Sequence, residues 1–226
     1  MKNLRLLLSL IVLAVLPTVA QVKPTVAVLG DSYSTFAGFI PNGNACWYNS
    51  PADHKRTDVT KVEQIWWWQV ANDGGYKLGT IESYSGATIC NTGYRDEDYS
   101  DRSFVTRCTN LGNPDIILIC GATNDSWANS PIGDYKYANW KRVDLYFFRP
   151  AMAKMFNDIK QHYPNVDVYF ILNTELKKEI NESVQEVCKH YDVPVIELVD
   201  IDKKSSHPSV KGMKAIAQQV LKFIKK

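Results

Sequence analysis

Val26-Ala27-Val28-Leu29-Gly30-Asp31-Ser32-Tyr33-Ser34 is the stretch from which the fold is read. Four apolar residues, two of them β-branched valines, spell a short buried strand. Gly30 ends it, and Asp31-Ser32 are residue types that start helices. A strand that turns abruptly into a helix sets the next side chain at the carboxyl edge of a sheet, where open α/β sheets bind their ligands. Backbone N–H groups at such a turn can also hold a developing negative charge. Ser32 therefore stands where a nucleophile would stand. Asp31-Ser32 also suits a plain helix cap, so the rest of the chain has to decide.

The chain before this strand reads as an export leader. Lys2 and Arg5 precede an apolar run from Leu6 to Leu16, and Thr18-Val19-Ala20 offers small residues ahead of a cut at Gln21. The run is short for a bilayer span. We therefore expect a signal peptide over 1–20, one domain over 21–226, a periplasmic or secreted protein, and no stable membrane anchor. Of 26 basic residues the leader holds two, which leaves 24 against 24 acids. A neutral chain without a basic run is a poor nucleic-acid binder. Five cysteines occur, none in a CxxC pair, so a structural zinc site is not expected. Cys120 and Cys188 read as buried thiols. Cys46, Cys90 and Cys108 fall in irregular stretches where a bridge could form.

Further along, strands alternate with helices. Thr60 and Glu63 have capping-box spacing and open a helix through about Ala71, with Trp66, Trp67 and Trp68 fanned around it. Lys77–Tyr84 reads as a second strand and Asp101–Leu111 as a short helix. Asp115–Cys120 is the clearest strand, an unbroken apolar run suited to a sheet covered on both faces. Val143–Tyr163 is largely helical with Pro150 inside it. Val166–Leu172, Leu176–Tyr191, Val193–Val199 and Pro208–Ile224 continue the alternation. The pattern predicts a five-stranded parallel sheet between two helix layers.

A serine needs a base. Of the four histidines, His162 and His190 sit near the ends of amphipathic helices and His54 in a charged loop. His207 lies between the last strand and the last helix, at the edge of the sheet that also carries Ser32. It is followed by Pro208, which suits the first turn of that helix.

Gly30-Asp31-Ser32, Gly86 after the second strand, Gly121-x-x-Asn124-Asp125 after the third, and the late His207-Pro208 together resemble the four blocks of the SGNH/GDSL hydrolase family. The order and spacing cover nearly the whole chain after the leader. The resemblance implies a three-layer α/β/α flavodoxin-like fold, no metal, no cofactor, and ester hydrolysis through an acyl-enzyme. It implies Ser32 as nucleophile and His207 as general base. It implies an oxyanion hole from the Ser32 and Gly86 N–H groups and the Asn124 amide. Physical chemistry agrees with this set: acyl transfer needs neutral donors aimed where oxygen becomes negative, and one such donor is worth roughly 2.7–4 kcal/mol.

One position departs from the family. The acid usually found three residues before the histidine is here Lys204, and the nearest acids are Asp202 and Asp200. Two arrangements follow. Either Asp202 orients His207 through a longer loop, or a backbone carbonyl near Ser205 holds the ring in a Ser-His dyad. Asp31 and Asp125 suit bracing of loops through backbone N–H groups, and Tyr33, Trp47 and Trp127 suit the walls of a pocket. The expected activity is that of an exported esterase removing short acyl groups, such as acetyl, from a small-molecule or glycan ester. The competing expectations are a lipase, arylesterase or thioesterase of the same family, and a non-catalytic carbohydrate-binding protein on this fold.

Overall fold

The computed structural model describes residues 22–224, so the expected leader lies outside the described residues. Five parallel strands form one sheet in the order β2-β1-β3-β4-β5. They are β1 (Thr25–Gly30), β2 (Lys77–Ser83), β3 (Ile116–Gly121), β4 (Asp167–Leu172) and β5 (Val195–Glu197). This is the flavodoxin-like order, whose topological switch point lies between β1 and β3.

Side-chain alternation on the central strands feeds two cores. Ala27 and Leu29 of β1 and Ile117 and Ile119 of β3 point to one face, against α2 (Phe104–Arg107), α4 (Phe148–His162) and α5 (Lys178–His190). Val26, Val28, Ile116 and Leu118 point to the other, against α1 (Trp66–Gly74) and α6 (Val210–Ile224). Both faces of β3 are thus covered, which is why it reads as a continuous apolar run rather than an alternating one. Trp66 and Trp67 are wholly buried in the second core, and Trp68 packs on its margin.

Several expected elements are shorter or shifted. The chain after Asp31 makes one 3-10 turn, Ser32–Ser34, in place of a helix. The side chain that closes the turn before α1 is Gln64, which accepts from Thr60 N at 2.7 Å and Lys61 N at 3.2 Å, and not Glu63. The helix expected over 101–111 is the four-residue α2. Asn124 and Trp127 lie on a short helix, α3 (Thr123–Ala128). Pro150 sits in the first turn of α4, where its missing N–H has no partner to lose. Cys46, Cys90, Cys108, Cys120 and Cys188 are all free. The three that suited a bridge instead give their thiol hydrogens to nearby carbonyls, of Tyr48, Thr92 and Val105 respectively.

The largest departure is at the carboxyl end. The helix expected from Pro208 starts only at Val210, and His207 and Pro208 precede it. They belong to a two-stranded hairpin, β6 (Lys203–Lys204) and β7 (His207–Pro208), that precedes α6. Ser205 and Ser206 form its two-residue loop with φ of 48° and 61°. Positive φ at both central residues is the mark of a type I′ turn, whose twist matches that of the flanking strands. Gly212, in the first turn of α6, lets the hairpin dock. A Cβ there would lie 2.1 Å from the Asp202 carbonyl oxygen.

Candidate active site

Four loops meet at the carboxyl edge of the sheet, beside the switch point. The first follows β1. Asp31 caps the 3-10 turn by accepting from Tyr33 N at 2.9 Å. This turn raises Ser32, and Thr35 Oγ1 donates to the Ser32 carbonyl at 3.1 Å. The second is the turn after β2, tied to the first where Tyr84 N donates to the Gly30 carbonyl at 3.1 Å. Gly86 occupies it with φ +87°, a conformation that favours glycine, and open space lies where a side chain would begin.

The third follows β3. Ala122 adopts φ +72° to turn the strand into α3. This left-handed residue sets Asn124 in the first turn of the helix. The Asn124 amide donates to the Ala87 carbonyl at 3.0 Å, and its oxygen accepts from Tyr94 Oη at 2.7 Å. Those two bonds fix which end is nitrogen, and the amide has a second N–H to give. Asp125 accepts from the Ile89 and Cys90 N–H groups at 2.8 and 3.3 Å. The two side chains lock α3 to the Gly86 turn.

The fourth loop is the hairpin. His207 Nε2 lies 2.9 Å from Ser32 Oγ, across 175 positions of chain. Its Nδ1 lies 2.9 Å from the Ser205 carbonyl oxygen. A carbonyl can only accept, so Nδ1 carries the hydrogen and Nε2 of the neutral ring is the acceptor facing Ser32. A base in this tautomer can take the serine proton.

Asp202 does not orient the imidazole. Its carboxylate accepts from Ser209 Oγ, and its own carbonyl accepts from Ser209 N at 3.0 Å. It fastens the hairpin to the start of α6. The Nδ1 position is already taken by the hairpin's own Ser205 carbonyl.

Tyr33 also departs from expectation. It is fully buried and walls no pocket. Its hydroxyl donates to the Ser206 carbonyl at 2.7 Å and accepts from Asn173 Nδ2 at 3.3 Å. It braces the turn that carries His207. Trp47 lies flat on the imidazole, with ring centroids 3.5 Å apart and planes 7° apart. Trp127 approaches the ring at 6.2 Å with its plane inclined by 68°, and is 40% exposed. Tyr94, Asn173 and Arg56 were invisible to motif reading. Their contacts arise from loop packing, and no spacing in the sequence announces them.

Burial sets the titration of the site. It pushes the His207 imidazole down to about 4, against the pull of the Ser205 hydrogen bond, and the cations Arg56 and Lys203 depress it further. Burial likewise raises the Asp31 carboxyl to about 7 and Asp125 to about 6, with backbone N–H bonds opposing in each case. The imidazole is thus neutral above about pH 4, the form in which it can act as a base.

A family model described as GDSL-like lipase/acylhydrolase matches residues 24–224. A crystal structure described as that of a GDSL-like lipase from Bacteroides ovatus is 54% identical, with TM-score 0.89, over 91% of this chain and 99% of that one. Its counterpart from Bacteroides uniformis is 50% identical, with TM-score 0.88, over 91% and 97%. An acetyl xylan esterase from the rumen bacterium Butyrivibrio proteoclasticus shares the fold at 15% identity and TM-score 0.56, over 90% of this chain and 64% of that one. A search of curated proteins finds no significant match.

Proposed function

The chain belongs to the GDSL-like lipase/acylhydrolase family, and on that premise we propose that it is an exported serine esterase that removes short acyl groups from carbohydrate. The observation that carries the reading is the 2.9 Å approach of Ser32 Oγ to His207 Nε2, beside an Asn124 amide tied to the Gly86 turn.

The chemistry follows from those positions. Ser32 Oγ attacks the ester carbonyl carbon as its proton passes to His207 Nε2. The carbonyl oxygen becomes negative and is met by the Ser32 and Gly86 N–H groups and the Asn124 amide. His207 then returns the proton to the leaving alcohol, the C–O bond breaks, and an acyl-Ser32 ester remains. Water, deprotonated by His207, repeats the sequence and frees the acid. The Ser205 carbonyl holds the ring through both halves, so a Ser-His dyad carries the reaction.

A short acyl group is supported by the setting of Ser32, which is only 3% exposed. A carbohydrate alcohol is supported by Trp127, whose exposed indole beside His207 offers a flat apolar face of the kind that sugar rings stack on. The likeness to an acetyl xylan esterase points the same way.

The test is hydrolysis of p-nitrophenyl acetate, butyrate and longer esters, and of acetylated xylo-oligosaccharides, by wild type and Ser32→Ala. The reading expects acetate to be preferred and Ser32→Ala to be inactive. Preference for long chains would make the protein a lipase. No turnover of any ester by wild type would favour a binding role.

A further inference from the structure

The imidazole of an esterase without an orienting carboxylate needs another device to keep its plane. The Ser205 carbonyl fixes one atom, Nδ1, and leaves the ring free to rock about that bond. The indole of Trp47 lies against the ring at van der Waals distance and nearly parallel to it. Trp47 is in turn tied to the nucleophile. Its backbone N–H donates to Thr35 Oγ1 at 2.9 Å, and Thr35 Oγ1 donates to the Ser32 carbonyl at 3.1 Å. A closed circuit results: Ser32, Thr35, Trp47, the imidazole, and back to Ser32 through Nε2. The Arg56 guanidinium carbon lies 4.0 Å from the centroid of the same indole. The indole touches the base and a cation at once.

Resting on the esterase reading, we propose that Trp47, loaded by Arg56, is the positioning residue for His207 and does the orienting work that an acid does elsewhere. Stacking fixes the ring plane without adding a negative charge. The groups around the ring fit that account. Tyr33 from the first turn lies 5.3 Å away and Tyr48 6.5 Å. The charges that bear on the ring are the cations Arg56 and Lys203, and Lys203 is itself held by Glu175 Oε2 at 2.8 Å. The imidazole is therefore held in place by contact and kept neutral by cover. A sequence reading that makes Trp47 a pocket wall misses this, because stacking depends on a fold that joins residues 47 and 207.

The test combines kinetics with NMR titration of the His207 ring on intact protein. Trp47→Leu is expected to lower kcat on p-nitrophenyl acetate about a hundredfold, the scale of loss from a slightly misplaced catalytic group, with KM within about threefold. Trp47→Phe keeps a flat face and should recover most of that loss. In Trp47→Leu the His207 midpoint should rise from about 4 toward 6.5, and Arg56→Gln should move it upward by less. Near-wild-type kcat and an unmoved midpoint in folded Trp47→Leu would overturn the proposal. If that variant does not fold, an unmoved midpoint in Arg56→Gln does so. The NMR arm needs no turnover. A midpoint that moves in a protein inactive on every ester would sustain the positioning role and sink the esterase reading.

Discussion

His207 Nδ1 donates to the carbonyl oxygen of Ser205, two residues earlier in its own hairpin, at 2.9 Å. The type I′ turn makes this contact local. Both serines hold positive φ, so the chain reverses within two residues and brings the carbonyl back over the ring. A carbonyl fixes the tautomer as a carboxylate would, but it supplies less negative charge to the imidazolium formed in the reaction.

Asp202 is therefore expected to be dispensable for chemistry. Asp202→Asn should retain kcat within about tenfold, because the ring already has its acceptor. A loss of about a thousandfold would restore the triad, since it is the size expected when the wrong tautomer is imposed. Steady-state kinetics on p-nitrophenyl acetate decide it.

The proposed oxyanion role of Asn124 requires that its amide not flip. Tyr94 Oη holds the amide oxygen at 2.7 Å. Asn124→Ala should lower kcat by about 10²–10³ with little change in KM. Tyr94→Phe should produce a smaller fall of the same kind, about tenfold, because the donor remains but its orientation relaxes. A rise in KM alone in Tyr94→Phe would place the tyrosine in substrate binding instead.

The pH profile of kcat/KM should stay flat well below neutrality. His207 must be neutral to accept the serine proton, and burial lowers its folded value to about 4. Activity is expected to fall only as pH approaches that value from above. An acid limb centred near 6.5 would show an ordinary, solvated histidine.

Asp31 makes an opposite prediction for stability. Its ordinary value is 3.8, and burial raises the folded value to about 7. The contribution of its protonated form is complete below about 4 and is lost as pH rises through about 7, because the unfolded chain releases the proton first. One carboxyl oxygen is buried without a partner, which makes the ionised form costly. The Tm of Asp31→Asn, relative to wild type, should therefore climb between pH 4.5 and pH 8.5. A difference that is constant across that range counts against the buried-acid account.

Much of the site was legible because the family's residues punctuate strand ends. The apolar runs at 26–29 and 116–120 declare strands covered on both faces, and Gly30 and Gly121 mark where they stop. Short-range patterning carries such information well, since burial on a sheet demands a continuous apolar run. Helix starts were read less well. Asp31-Ser32 satisfies the rules for a cap, yet the chain makes a single 3-10 turn, because buried packing of Tyr33 and Ser34 outweighs local propensity.

By itself the sequence determined the layered sheet, the order of the blocks, and Ser32, Asn124 and His207 as a candidate set, since residue type and spacing suffice for these. Only the tertiary structure decided how the imidazole is held. It chose the Ser205 carbonyl over Asp202, made Tyr33 a brace, and laid Trp47 on the ring. Those outcomes depend on the handedness of a two-residue turn and on side chains brought together from distant loops. Orientation of that kind is fixed by packing in three dimensions, and it leaves no periodic trace along the chain.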